Sequence, residues 1–148
     1  MVNNLVQIKK IDKGDSFLIS SFLHHAGNSL TTFRYFDKRP LSSIDNHVIT
    51  AIILDNNTPV GYGHLDNEGD RTWLGIAIAE MSTGKGLGKL MMSFLISSAD
   101  ELGLPLISLS VDKDNDKAIT LYEKFGFNCI REINIKSQLM ERKCQSTC

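Results

Sequence analysis

Three short runs rich in β-branched and other apolar residues lie between positions 47 and 79, and no other feature constrains the fold as strongly. The runs are HVITAIILD (47–55), VGYGHLD (60–66) and RTWLGIAIA (71–79), separated by the turn sequences NNTP and NEGD. Short polar turns of this kind join neighbouring antiparallel strands. Residues 47–79 are therefore predicted to form a three-stranded antiparallel meander.

The segments on either side predict a mixed sheet with helices on its faces. LVQIKKI (5–11) alternates as a first strand, and apolar residues at helical spacing over 13–38, interrupted at HHAGNS, predict two short helices. Further patterns follow at 88–102 (helix), 104–111 (strand), 115–127 (helix) and 128–135 (strand), with a last short strand around Leu139 and Met140. The predicted order, β-α-α-β-β-β-α-β-α-β, belongs to the α/β class with a mixed sheet. No linker or repeat divides the chain, so residues 1–148 are predicted to form one domain.

Composition excludes several classes of partner. The net charge of −1 predicts neither nucleic acid nor an acidic membrane as a partner. The first residues lack the basic and apolar segments of a secretory signal, and no apolar run approaches the roughly 20 residues that span a bilayer. Cys129, Cys144 and Cys148 lack the paired spacing of a zinc site. We interpret them as reduced thiols in a cytoplasmic protein that holds no metal, with oxidation of the terminal pair, Cys144 and Cys148, as the alternative.

The glycine-rich stretch EMSTGKGLGKLMM (80–92) fits neither of the two common nucleotide-binding loops. A triphosphate-binding loop requires G-x-x-x-x-G-K-[ST], but Gly84 and Gly88 are one residue too close and Leu90 follows Lys89. A dinucleotide fingerprint requires G-x-G-x-x-G, and its third glycine would fall at Lys89 or Met91.

Two interpretations of this stretch remain. A glycine-rich turn that leads from a strand into a helix exposes main-chain N–H groups at the positive end of the helix dipole, where a diphosphate binds well. Lys85 and Lys89 would add positive charge at that position. Alternatively, the glycines form a tight turn that needs positive φ at two positions.

A second stretch, taken together with the first, resembles the GCN5-related N-acetyltransferase (GNAT) family. That family's acetyl-CoA loop reads [RQ]-x-x-G-x-[GA], and here the corresponding stretch is TGKGLG (83–88). Its second signature, N-x-x-A-x-x-L-Y-x-x-x-G-F, is matched at every fixed position by Asn115, Ala118, Leu121, Tyr122, Gly126 and Phe127. The resemblance covers residues 47–135. Thr83 departs from the usual Arg or Gln, which is expected to weaken contacts with the CoA phosphates.

The resemblance implies where acetyl-CoA binds. The strand before the loop is expected to splay from the strand at 104–111, and the pantetheine arm is expected to lie in the gap. A strand edge with unpaired N–H and C=O groups favours such a partner. The implied cofactor-binding residues are Ile76, Ala77, Ile78, Thr83, Gly84, Lys85, Gly86, Leu87, Gly88, Lys89, Asn115 and Tyr122.

The resemblance also implies the chemistry, a direct transfer of acetyl from acetyl-CoA to a primary amine. Tyr122 is the expected general acid, since a phenol stays protonated at neutral pH and the resemblance places it near the departing sulfur. Core packing is its alternative role, as helix N-capping is for Asn115. His64 is the expected base, and Asp66, Glu80 and a chain of water molecules are alternatives. His64 could equally be a structural histidine of the sheet.

The early helices are expected to bind the amine. Arg34, Lys38 and Arg39 cluster with Tyr35, either as a solvated charged face or as a pocket for a phosphate or carboxylate, as on an amino sugar or a sugar nucleotide. Arg34, Tyr35 and Asp66 are the predicted substrate-binding residues. A small-molecule amine is the expected partner. The alternatives are acetylation of a protein or peptide and a non-catalytic acyl-CoA-binding module, and the resemblance suggests a homodimer.

Overall fold

The computed structural model describes residues 5–144, and within that range a seven-stranded mixed sheet carries three α-helices. The strands are β1 (Val6–Lys10), β2 (His47–Asp55), β3 (Thr58–Glu68), β4 (Arg71–Ile78), β5 (Leu106–Asp112), β6 (Asn128–Glu132) and β7 (Ser137–Lys143). The helices are α1 (Ser16–His25), α2 (Leu87–Glu101) and α3 (Asp116–Lys124). The predicted mixed α/β architecture is confirmed.

The strands lie in the order β1-β2-β3-β4-β5-β7-β6. The first four are antiparallel neighbours, and β2, β3 and β4 form the meander that the sequence predicts. β5 is parallel to β4, whereas β7 pairs with β5 and β6 in antiparallel fashion. The two strands predicted after α3 are both present as an antiparallel pair, and the second, β7, is longer than the short strand expected around Leu139 and Met140.

The second early helix is absent as an α-helix. Residues 27–46, which we call the lid segment, instead contain three 3-10 turns, Gly27–Thr31, Tyr35–Asp37 and Leu41–Asn46. Gly27 ends the preceding helix region with a φ of +66°, and a Cβ at this position would stand 2.5 Å from Glu80 Oε1. Apolar spacing indicated a continuous helix here because the aromatic residues of the lid segment do face the core, but on successive short turns.

Each face of the sheet has its own apolar core. On one face α2 and α3 cover the strands, with Met91, Met92 and Leu95 fully buried. On the other face α1 and the lid segment cover them, around Phe22 and Tyr62. The two layers leave the central strands enclosed on both sides.

Two smaller findings concern the sequence predictions. Cys129 has a free, exposed thiol, whereas Cys144 is disulfide-bonded, so the prediction of reduced thiols is wrong for Cys144, and Cys148 lies outside the described residues. Between residues 5 and 144, no helix is both long enough and apolar enough to cross a membrane.

Candidate active site

The two central parallel strands separate almost as soon as they meet. β4 and β5 share a single register pair, Trp73 with Ser108, and beyond it no other strand of the described chain replaces β5 on this edge of β4. Ala79 N–H donates to Val60 O on the β3 side. Because main-chain groups alternate between the two edges of a strand, those of Ile76 and Ile78 point into the gap. The expected splay is present.

A cavity of about 710 Å³ occupies this gap. The predicted site residues that line it are Arg34, Tyr35, His64, Asp66, Ile76, Ala77, Ile78, Thr83, Gly84, Gly86, Leu87, Gly88, Asn115 and Tyr122. Lys85 and Lys89 are exposed and lie outside the lining. The fold therefore brings together residues from the lid segment, both central strands, the glycine-rich loop and α3.

The glycine-rich loop leaves the start of α2 open. Gly84 and Gly86 have φ values of +79° and +80°, and a Cβ on either would meet nothing within 4 Å. The glycines are therefore required by backbone conformation and not by crowding. No side chain caps α2, whose first N–H groups have no partner within the helix. Leu87 and Gly88 line the cavity there, so the loop has both the tight-turn geometry and the open N–H groups that the two interpretations required.

Three polar side-chain atoms open into the cavity. Tyr122 Oη, His64 Nε2 and Asp66 Oδ1 have no hydrogen-bond partner within residues 5–144, although their residues are only 8%, 2% and 5% exposed. In the same range no fully buried side-chain nitrogen or oxygen lacks a partner. These three atoms have no partner, so they are not fully buried. Because all three residues line the cavity, we infer that the atoms are exposed there.

Tyr122 meets the requirements of a proton donor. Burial raises the pKa of its phenol to about 12, so it stays protonated at any physiological pH. Its ring packs against Phe127, with centroids 6.1 Å apart, while the hydroxyl faces the cavity. Packing and exposure of the hydroxyl are thus compatible. Nearby, Asn115 caps α3 by accepting from Ala118 N–H at 3.4 Å and also lines the cavity.

His64 stands on β3 directly opposite Gly75 of β4. A Cβ at position 75 would lie 2.5 Å from His64 Nε2, so the glycine makes room for the imidazole. Tyr62 Oη lies 2.6 Å from His64 Nδ1. Burial, followed by the neighbouring His47 and Arg39, lowers the pKa of His64 well below its usual range, so the ring is neutral at pH 7.

A hydrogen-bonded chain joins the lid segment to the sheet beside His64. Tyr35 Oη donates to Asp66 Oδ2 at 2.7 Å and lies 2.7 Å from His47 Nε2, while His47 Nδ1 lies 2.8 Å from Thr50 Oγ1. Since the only hydroxyl proton of Tyr35 goes to Asp66, His47 Nε2–H must donate to Tyr35. Burial lowers the pKa of His47 and, with the Asp66 hydrogen bond, raises that of Tyr35. Tyr35 thus fixes the lid segment over the cavity.

The two lid arginines are already paired. Arg34 Nη2 lies 3.1 Å from Asp112 Oδ1, and its Nη1 donates to Thr31 O. Arg39 Nη2 lies 3.1 Å from Glu68 Oε2, and its guanidinium stacks 4.2 Å from the centre of the Tyr35 ring. The two arginines that the sequence suggested for binding an anionic substrate are thus each paired with a carboxylate of this chain.

Glu80, an alternative candidate for the base, is not among the residues that line the cavity. Its carboxylate accepts from Asn28 N–H at 2.8 Å and from Asn28 Nδ2 at 3.1 Å. Ser29 Oγ donates to Ile78 O in the gap. Both contacts tie the start of the lid segment to the end of β4.

Within residues 5–144 no group of three or more His, Cys, Asp or Glu side chains could hold a metal ion.

The comparison with known proteins identifies the family. Residues 16–127 match the Acetyltransferase (GNAT) family. The chain belongs to the GNAT family. The spermine/spermidine N(1)-acetyltransferase of Bacillus subtilis (strain 168) is 40% identical over 75 residues, which are 49% of this chain and 49% of that protein. The [ribosomal protein bS18]-alanine N-acetyltransferase of Haemophilus influenzae is 34% identical over 85 residues, 57% of this chain and 56% of that protein.

A solved structure has the same GNAT fold. It is yncA, a putative acetyltransferase from Salmonella typhimurium with its cofactor acetyl-CoA, and it superposes with a TM-score of 0.76 at 18% identity, covering 97% of this chain and 96% of that one. By contrast, the sequence alignments span only about a third to a half of the curated relatives' own length.

Sequence reasoning missed three side chains of this GNAT site. Ser29 bonds to the free edge of β4, His47 belongs to the Tyr35 chain, and Trp73 lines the cavity where β4 and β5 part. His47 opens a strand and could have been noticed as the register partner of Asp66. For Ser29 no local pattern signals the contact, because it is 49 residues from Ile78.

The neutral state of His64 predicts how stability depends on pH. The folded pKa lies below the unfolded value of about 6.5, so the unfolded chain binds more protons as the pH falls through that value, and stability decreases. Urea unfolding at pH 6.5 and 5.5 should give a loss of stability that is about 1 kcal/mol larger in the wild type than in His64→Gln, where the lowered pKa of His47 still contributes. Equal losses in both proteins would contradict burial of a neutral His64.

The Gly75→Ala variant should displace the imidazole. Its Cβ would enter the space of His64 Nε2, and the ring has little freedom because Tyr35 and His47 pack 4.4 and 4.5 Å from its centre. Overpacking of this kind costs about 1–3 kcal/mol. We expect that loss in chemical denaturation, whereas Gly14→Ala, where the nearest atom is the surface Asp12 Oδ1 at 3.3 Å, should stay within about 1 kcal/mol of the wild type.

Proposed function

We propose that this GNAT-family chain transfers the acetyl group of acetyl-CoA to the primary amine of a small molecule, with Tyr122 as the general acid. One observation carries the proposal: the open edge of β4, the uncapped start of α2 and the free hydroxyl of Tyr122 all meet in a single cavity. Each is matched to a different part of the same cosubstrate.

The main chain would hold the cosubstrate. The diphosphate would bind the N–H groups at the start of α2, where the helix dipole favours an anion. The pantetheine amides would pair with the main-chain groups of Ile76 and with Ile78 N–H, as an added strand does. Ile78 C=O is less available because Ser29 already donates to it. Lys85 and Lys89 are exposed beside the loop and would contribute only where the diphosphate leaves the cavity.

The reaction would proceed by direct attack. As the amine nitrogen forms its bond to the acetyl carbon, the carbon–sulfur bond breaks, and Tyr122 Oη gives its proton to the departing thiolate. A main-chain N–H on β4 would stabilise the negative charge on the acetyl oxygen. The attacking nitrogen must also lose a proton on the acceptor side, where His64 and Asp66 line the cavity.

A small amine fits this cavity better than a protein chain. The lid segment covers the acceptor side and is fixed to the sheet by Tyr35 and Glu80. One relative named above acts on polyamines and another on a ribosomal protein, so both kinds of amine occur among similar proteins. We favour the small amine because an extended peptide would need an open groove in place of the fixed lid.

Calorimetry and a turnover assay test the proposal. Acetyl-CoA should bind the wild type with measurable heat and protect residues 83–89 from hydrogen exchange, and release of free CoA should depend on an added amine. Binding without turnover on a broad panel of amines and peptides would favour an acyl-CoA-binding module. Turnover on peptides alone would favour a protein acetyltransferase. Size-exclusion chromatography with light scattering would test the homodimer, which stays a prediction.

A further inference from the structure

The hydroxyl of Tyr62 determines which nitrogen of His64 carries the proton. Tyr62 is fully buried, and His64 Nδ1, at 2.6 Å, is the one hydrogen-bond partner of its hydroxyl within residues 5–144. A buried O–H without an acceptor costs about 1–3 kcal/mol, so Tyr62 must donate and His64 Nδ1 must accept. The neutral ring therefore holds its proton on Nε2, the atom that opens into the cavity. His64 presents a donor there and has no lone pair for the acceptor amine.

Asp66 then provides the hydrogen-bond acceptor on this side of the cavity. Its Oδ2 accepts from Tyr35, while its Oδ1 has no partner and faces the cavity. Asp66 and His64 lie two residues apart on one face of β3, so their Cα atoms are about 7 Å apart. The register places them opposite Trp73 and Gly75, next to the free edge at Ile76.

The charge of the surrounding groups favours a cation. Arg34 and Arg39 are each paired with a carboxylate, Asp112 and Glu68, and His47 is neutral beside Asp66, so among the described residues the Asp66 carboxylate has no cationic partner of its own. A phosphate or carboxylate on the acceptor would have to break one of these pairs and approach Asp66. An alkylammonium group, which is protonated below a pKa of about 10.4, would gain a charge-assisted bond.

We propose that the acceptor is a cationic amine without an anionic group, that Asp66 Oδ1 binds its ammonium and takes one proton before the neutral nitrogen attacks the acetyl carbon, and that His64 serves as a neutral N–H donor. The second proton that the nitrogen loses as the amide forms replaces the one that Tyr122 gives to the thiolate. This inference rests on the proposed function. It replaces the expected roles of His64 as base and of Arg34 as an anion-binding residue. Of the two acceptors suggested by the sequence, an amino sugar and a sugar nucleotide, this inference disfavours the sugar nucleotide because it carries phosphate.

Three substitutions distinguish the roles. Asp66→Asn keeps an acceptor for Tyr35 but removes the charge, and should raise KM for 1,4-diaminobutane roughly ten- to hundredfold while acetyl-CoA affinity is unchanged. His64→Gln keeps an N–H donor close to Nε2 and should retain kcat within about tenfold, whereas a base cannot be replaced by an amide. Asp70→Asn is the matched control, since that carboxylate lies in the exposed turn between β3 and β4 and is not among the residues that line the cavity. It should change KM less than threefold.

The acceptor panel tests the charge preference. The wild type should use 1,4-diaminobutane with a kcat/KM at least tenfold above that of glucosamine 6-phosphate. A preference for the phosphate, an unchanged KM in Asp66→Asn, or a His64→Gln loss as large as that of Asp66→Asn would overturn the inference.

A direct binding measurement separates this inference from the proposed function. Isothermal titration of 1,4-diaminobutane into the protein saturated with CoA should give heat with the wild type and none with Asp66→Asn. If no amine is turned over but this difference remains, the proposed function fails and the cation site stands. If amines are turned over but the difference is absent, the proposed function stands and this inference fails.

Discussion

The Tyr122→Phe substitution is expected to lower kcat by a factor of between about 10² and 10⁴, because a positioned proton donor accelerates a reaction with a poor leaving group by about that much. The substitution removes one oxygen and leaves the ring packed against Phe127. The affinity for acetyl-CoA and the stability of the fold should both stay close to those of the wild type. Since burial raises the pKa of Tyr122 to about 12, no decline of kcat below pH 10 should be assignable to this phenol.

The leaving group offers a sharp control for Tyr122. An acetyl thioester of a more acidic thiol needs less help from a proton donor, so the loss caused by Tyr122→Phe should shrink when such a thioester replaces acetyl-CoA. Stopped-flow detection of the free thiol measures both reactions. An equal loss with both thioesters, or a variant with full activity on acetyl-CoA, would rule out the acid role and leave Tyr122 as a packing residue.

The Arg142→Met variant is expected to lose about 3 kcal/mol of stability, the lower end of the cost of breaking a buried ion pair by removing one partner. Arg142 is 4% exposed on β7, and its two terminal nitrogens bond to the Asp100 carboxylate of α2 at 3.0 and 3.1 Å. Its Nε donates to Phe125 O at the end of α3, also at 3.0 Å. One side chain thus links both helices of one sheet face to the terminal hairpin.

Urea denaturation followed by circular dichroism measures this loss, which corresponds to a fall in Tm of roughly 10 °C for a chain of this size. Arg131→Met is the matched control. Arg131 is exposed on the edge strand β6, and among residues 5–144 its side chain donates only to the neighbouring Glu132 O, so its replacement should stay within about 0.5 kcal/mol. Similar losses for the two variants would mean that the Arg142 contacts add no more than a surface arginine does.

The acceptor side of the site depends on contacts that no local pattern encodes. The first part of the lid segment was expected to be helical, but it forms 3-10 turns, and Gly27 at its start lies close to Glu80. Its arginines looked available to an anion until the fold placed Asp112, 78 residues away, and Glu68 beside them. Likewise, the alternation of β3 placed His64 and Asp66 on one face but could not say which of them keeps a free lone pair.

By itself the sequence determined the parts of this protein whose physics is local. Strand alternation and turn residues gave the meander, and glycines at 84 and 86 required positive φ before a helix. Asn115 and Tyr122 were singled out by the resemblance of residues 115–127 to the GNAT signature. Only the tertiary structure decided the chemistry around His64, because the proton on that ring is set by a buried hydroxyl, and the charge near Asp66 by ion pairs between distant segments. Such contacts depend on which surfaces meet after folding, and sequence distance carries no information about that.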